Sequence, residues 1–92
     1  MLTADSTVVR AGDPVTAPVG DEIAMLNIEA GSYYVLDEIA AAIWEQLKTP
    51  ITPDAICGQL CQRYEVAPAQ CETDVLTFLR VLQEKGLLRI VA

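Results

Sequence analysis

The chain has 92 residues, enough for one small domain, and over half of them (52%) are hydrophobic, enough for a packed core. Six lysines and arginines face thirteen aspartates and glutamates, a formal net charge of −7 that repels phosphate backbones and argues against nucleic acid as a partner. No apolar run approaches membrane-spanning length and no basic-then-apolar segment opens the chain, so a cytoplasmic protein away from the membrane is expected. The odd count of three cysteines, Cys57, Cys61 and Cys71, fits a reducing compartment. With no histidine and no second close cysteine pair, they read as small buried apolar residues rather than zinc ligands, and neither metal nor cofactor is expected.

Residues 1–6 read as a flexible terminus. Thr7 to Arg10 and Val15 to Val19 are β-branched pieces separated by Gly12, Asp13 and Pro14, forming one strand or two. Pro14 and Pro18 confine this segment to a sheet edge or a bulge. Gly20-Asp21 marks a turn. Glu22 to Ile28 is apolar on both faces, which suits a central strand. Glu29-Ala30-Gly31 reads as a hairpin loop with Gly31 at positive φ, and Ser32 to Leu36 returns as the next strand. Asp37 is placed to cap a helix from about Glu38 to Lys48, with Ile39, Ile43 and Leu47 spaced by four and Trp44 as a core anchor. Thr49-Pro50 ends it. Thr52 caps a second helix with Pro53 at its first position and Ile51 and Ile56 set as a hydrophobic staple, ending near Tyr64. Pro68 opens a third helix to about Lys85. Gly86 stops it, and Leu87 to Val91 is a short last strand. The fold class is α+β: a winged helix-turn-helix with a small N-terminal antiparallel sheet and three helices, one domain spanning residues 1–92.

The third helix carries more apolar surface than one core requires. At 100° per residue, Cys71, Val75, Phe78 and Leu82 form a stripe that Leu76, Leu79 and Val81 widen to an arc of roughly 220°. The surplus faces a ligand, the sheet or a second subunit, or is buried on both sides. Asp74 borders it beside Phe78. Catalysis has little support. There is no histidine, Ser6 and Ser32 lie outside any nucleophile elbow, and no phosphate loop is present. A strand with two adjacent aromatics at a sheet edge, backed by helices, instead suits an extended peptide bound by strand addition.

Three segments in this order, Gly31-Ser32-Tyr33-Tyr34-Val35-Leu36-Asp37, Ala41-Ala42-Ile43-Trp44-Glu45-Gln46-Leu47, and Asp74-Val75-Leu76-Thr77-Phe78-Leu79 followed by Gly86-Leu87-Leu88, resemble the PqqD-like family. These are the recognition domains of ribosomally made and modified peptides. The resemblance covers nearly the whole chain after its first residues. It implies non-catalytic binding of a precursor's leader segment, added as a strand beside Ser32 to Leu36 and lying against the third helix. Carried over, the peptide-binding residues are Tyr33, Tyr34, Val35 and Leu36 on one side and Cys71, Asp74, Val75 and Phe78 on the other. The implied partners are the leader peptide and a processing enzyme. That enzyme is a cysteine peptidase, if the chain resembles the leader-binding half of a split lasso peptide protein, or alternatively a radical SAM enzyme, as in pyrroloquinoline quinone synthesis. Ala40 departs from the family's common glycine and Ala67 from its polar cap before Pro68. Two other readings are an acidic winged-helix DNA regulator, which Glu72, Asp74 and Glu84 on the third helix oppose, and a dimerisation domain with the surplus arc as a homodimer interface.

Overall fold

The computed structural model describes residues 2–12, 14–28 and 31–91. Its elements are β1 (Val8–Arg10), β2 (Val15–Val19), β3 (Glu22–Asn27), β4 (Ser32–Leu36), α1 (Glu38–Gln46), α2 (Pro53–Arg63), α3 (Pro68–Glu84) and β5 (Leu88–Ile90). The strands form two antiparallel sheets, β2-β3-β4 and β1-β5. The α+β class therefore holds, with the strands divided between a hairpin sheet and a two-stranded ribbon that joins the chain's two ends.

The two β-branched pieces near the N-terminus belong to different sheets. Gly12, at φ +72, separates them, and a Cβ there would lie 3.4 Å from the Gly86 carbonyl oxygen. β1 turns away from β2 to pair with β5, Val8 opposite Ile90 and Arg10 opposite Leu88. It also exchanges two hydrogen bonds with Ile51, Val8 N–H to the Ile51 carbonyl at 2.8 Å and the reverse at 2.9 Å.

β2 and β3 are joined by Gly20-Asp21. Only Gly20 takes positive φ (+65), as a type II′ hairpin requires. β3 is central, and its partner β4 pairs Met25 with Tyr34 and Ile23 with Leu36. Of the loop read as Glu29-Ala30-Gly31, Glu29 and Ala30 lie outside the described residues. Gly31 has φ +66.

The helix starts follow local chemistry. The Asp37 carboxylate accepts from the Ala40 N–H at 2.9 Å, and the Thr52 hydroxyl from the Ala55 N–H at 3.2 Å with Pro53 at the first position. α1 stops at Gln46, two residues short of the expected end, as Leu47 caps it. α3 has no side-chain cap at Ala67. Its C-terminus is a Schellman motif: Leu87 N–H donates to the Leu82 carbonyl at 2.8 Å and Gly86 N–H to the Gln83 carbonyl at 3.1 Å, with Gly86 at φ +75.

Trp44, Leu47, Ile56, Leu60, Val75, Leu79, Leu82 and Leu87 are all buried in one core, under the sheet face that carries Met25 and Leu36. Trp44 is the expected anchor, and the Arg10 guanidinium lies 5.0 Å from its ring centroid. The start of the chain corrects an expectation. Met1 lies outside the described residues, but residues 2–6, read as flexible, pack on the domain. Leu2 and Ser6 are buried, Ser6 N–H donates to the Thr3 carbonyl at 3.1 Å, and the Ala4 carbonyl accepts from Asp54 N–H at the start of α2. One buried leucine and one helix-start donor hold a segment whose composition alone reads as a loop.

Candidate functional site

β4 is the edge of its sheet. Among the described residues nothing pairs with its outer margin, so alternate backbone N–H and C=O groups remain open to another strand. α3 packs chiefly on α2 and β5, and Lys85 just past its end reaches the Tyr34 ring of β4. Beside the end of β4, between α1 and α3, lies a cavity of about 620 Å³. Its lining comes from the β4–α1 junction and α1 (Asp37, Ile39, Ala40, Ile43), from α2 (Leu60), from the α2–α3 connection (Glu65, Val66, Ala67) and from α3 (Gln70, Cys71, Asp74, Val75, Phe78). The floor is apolar. Ala40 keeps the α1 wall low, because its side chain stops at one carbon.

All four residues expected on α3 line this cavity. Cys71 and Val75 are buried and form its base, Phe78 is half-buried at its side, and Asp74 is exposed at its rim. They share one helix face because they lie four, or three and four, residues apart. The four residues expected on β4 divide. Tyr34 and Leu36 point to the helix side, where Leu36 is buried and Tyr34 packs against the core. Tyr33 and Val35, 60% and 58% exposed, point to the opposite face and do not form a cleft wall. Strand alternation requires this division, and none of the four lines the cavity, whose walls come from the β4–α1 junction, α1, α2, the α2–α3 connection and α3. From the sequence, Ile39 and Ile43 read as helix core and Ala40 as a departure from the family's glycine; neither these nor Val66 are marked as cleft residues. The available signal was Ala40, one residue after Ile39 and three before Ile43 on the same helix.

Electrostatics differ between the two ends. Lys85, at the C-terminus of α3, holds its ammonium 4.5 Å from the Tyr34 ring centroid. A hydrogen bond with Ser32, and then the Lys85 ammonium, hold the Tyr34 phenol below its usual value. The other end carries Asp37, Glu65 and Asp74. Gln70 donates its side-chain amide to Asp74 Oδ1 at 2.9 Å.

The cysteines lie between α2 and α3. All three are free thiols, Cys57 and Cys71 buried and Cys61 half-buried. Burial, reinforced by the neighbouring Cys71, pushes the Cys57 thiol up to about 12, and burial also raises Cys71. Neutral thiols of this kind are poor nucleophiles. Among the described residues no group of three or more His, Cys, Asp or Glu side chains is placed to hold a metal, and no helix is long and apolar enough to cross a membrane.

The far side of β2-β3-β4 is also apolar. Val15, Val19, Leu26, Tyr33 and Val35 are exposed there, in register across the three strands.

The family model described as coenzyme PQQ synthesis protein D (PqqD) matches residues 22–88. The chain belongs to the PqqD family. Among solved structures, one described as TbiB1 in complex with the TbiA(beta) leader peptide is 33% identical, with TM-score 0.79, covering 91% of this chain and 99% of that one. A lasso peptide synthetase B1 complexed with the leader peptide is 23% identical, with TM-score 0.77, covering 89% and 96%. The PqqD part of Methylobacterium extorquens PqqCD, described as a stand-alone recognition element for ribosomally synthesized and post-translationally modified peptides, is 22% identical, with TM-score 0.77, covering 97% and 95%. The last two show the shared fold. No curated protein matches the chain.

Proposed function

We propose that this PqqD-family chain binds the leader segment of a ribosomal precursor peptide in the cleft beside β4 and delivers it to a processing enzyme, making and breaking no bond itself. The observation that carries this reading is a β4 margin with no partner strand among the described residues, which leads at the β4–α1 junction into a cavity of about 620 Å³ with an apolar floor on α3. The leader adds as a strand along β4. Each backbone hydrogen bond it gains contributes about 0.5–1.5 kcal/mol net, and each apolar side chain fully buried against Phe78 and Ile39 about 1.5–3 kcal/mol. Ordering a disordered leader offsets part of that gain and limits the affinity. The benefit to the partner is effective concentration, since a tethered substrate meets the enzyme's active site repeatedly.

We favour the lasso context, with a separate cysteine peptidase as the receiving enzyme, over a radical SAM enzyme; the leader-bound lasso peptide synthetase B1 that shares this fold supports that choice. The exposed outer sheet face supports a protein partner of either kind. It lies on the opposite side of β4 from the cleft and stays accessible when the cleft is filled, and apolar patches on a small protein mark interaction surfaces.

Fluorescence anisotropy tests the reading, using labelled leader peptides, beginning with the TbiA(beta) leader bound by the 33% identical TbiB1. Phe78→Asp places a charge at the cavity side and is expected to weaken binding at least tenfold, by roughly 1.4 kcal/mol or more. Unchanged affinity in a folded Phe78→Asp protein overturns the cleft assignment.

A further inference from the structure

The cleft mouth carries charge of one sign. Asp37, Glu65 and Asp74 line it, and no lysine or arginine does. They come from three separate places in the fold: the β4–α1 junction, the α2–α3 connection and α3. Among the described residues none of them is in an ion pair, whereas Lys48 and Glu45 do form one on the surface. Asp37 and Asp74 each use one carboxylate oxygen to accept a hydrogen bond, from the Ala40 N–H and the Gln70 amide, which leaves acceptor capacity on the other. Three like charges around an apolar hollow repel one another, and the chain's net charge of −7 adds to the local negative potential.

An apolar cavity discriminates weakly among bulky side chains, because one methylene more or less changes affinity little. Neighbouring charges discriminate more sharply, since they attract one sign and reject the other.

We propose that this cleft selects leader segments whose apolar anchor residue is flanked by lysine or arginine, with the cationic heads seated at Asp37, Glu65 and Asp74. The proposal rests on the leader-binding reading above and names the substrate class for that site. Long basic side chains suit it, because their aliphatic stems lie along the Ile39 and Val66 walls while the heads reach the rim. A leader with glutamate or aspartate at those places meets three carboxylates and is excluded.

A displayed library of random peptides, selected on the full chain, is the probe. The wild type is expected to enrich lysine or arginine within two or three residues of a bulky apolar residue. In synthetic copies of the enriched peptides, replacing the basic residues by glutamate should weaken binding about tenfold at low salt and much less at about 0.5 M salt. The Glu65→Lys/Asp74→Lys variant should enrich acidic flanks instead. Ala40→Leu, which raises the α1 wall and narrows the cavity, identifies the peptides that use the cleft. Cleft-dependent peptides with no charge preference, or a preference that survives the double reversal, overturn the proposal and leave leader binding standing. Selected peptides that bind Ala40→Leu as tightly as wild type overturn both.

Discussion

Ala40 is the position at which cleft and core separate most cleanly. Its side chain lines the cavity from α1, one turn after the Asp37 cap. Leucine is nearly as good a helix former as alanine, so Ala40→Leu leaves α1 intact. The added carbons project into a hollow of about 620 Å³, and the core beneath, Ile43 and Val75, keeps its contacts. A leader anchor side chain then loses its place. Losing the burial of one such side chain costs about 1.5–3 kcal/mol, or roughly 10- to 150-fold in Kd. Leader anisotropy measures this, and urea unfolding checks the fold, with the midpoint expected to hold or rise because the added carbons gain apolar contacts on the cavity wall without displacing the core. Leader affinity within twofold of wild type, in a variant that unfolds at the wild-type midpoint, refutes the reasoning.

Three other outcomes follow from the same structure. Ala67→Ser supplies the side-chain cap that α3 lacks and should stabilise the protein by about 1 kcal/mol in urea unfolding; no gain means the cap N–H groups are already satisfied. The Gln46 side-chain amide is buried, with neither its nitrogen nor its oxygen hydrogen-bonded among the described residues, so Gln46→Met should raise stability by about 1 kcal/mol; a loss of that size contradicts the assignment. The Cys57 thiol ionises near 12 in the folded chain against a usual 9.0, so its neutral form stabilises the fold fully below pH 9, and that contribution is lost as pH rises toward 12. Urea unfolding at rising alkaline pH should show wild type losing up to roughly 1.4 kcal/mol per pH unit more than Cys57→Ala, and equal slopes contradict the buried neutral thiol.

Local signals were readable along most of the chain. Asp37, Thr52-Pro53 and Gly86 each act on backbone groups within a few residues, so the helix ends they set are visible without tertiary knowledge. The period-two division of Tyr33 and Val35 from Tyr34 and Leu36 was equally available, although only the structure shows that none of the four lines the cavity. Long-range partners were not readable. β1 pairs with β5 from the other end of the chain and with Ile51 between them, and nothing in Val8-Val9-Arg10 names those partners. Leu2 is buried in a core assembled from distant parts of the chain, and Ala4 meets the start of α2 at Asp54. The wide apolar arc of α3 was visible as surplus, but its use depended on packing. Cys71, Val75, Leu79 and Leu82 enter the core, Leu76 and Phe78 stay half-buried, and Val81 is exposed. The α1 wall of the cavity was missed because Ile39 and Ile43 have the same spacing as ordinary core residues.

The central claim is that a guest strand pairs with β4. Amide hydrogen exchange measured by NMR, with and without the precursor's leader, tests it most directly. New protection is expected at alternate β4 amides between Ser32 and Leu36, the period-two mark of a strand added to that margin. Leader binding that leaves every β4 amide exchanging as before, and instead perturbs only the outer face around Val15, Leu26 and Tyr33, contradicts it.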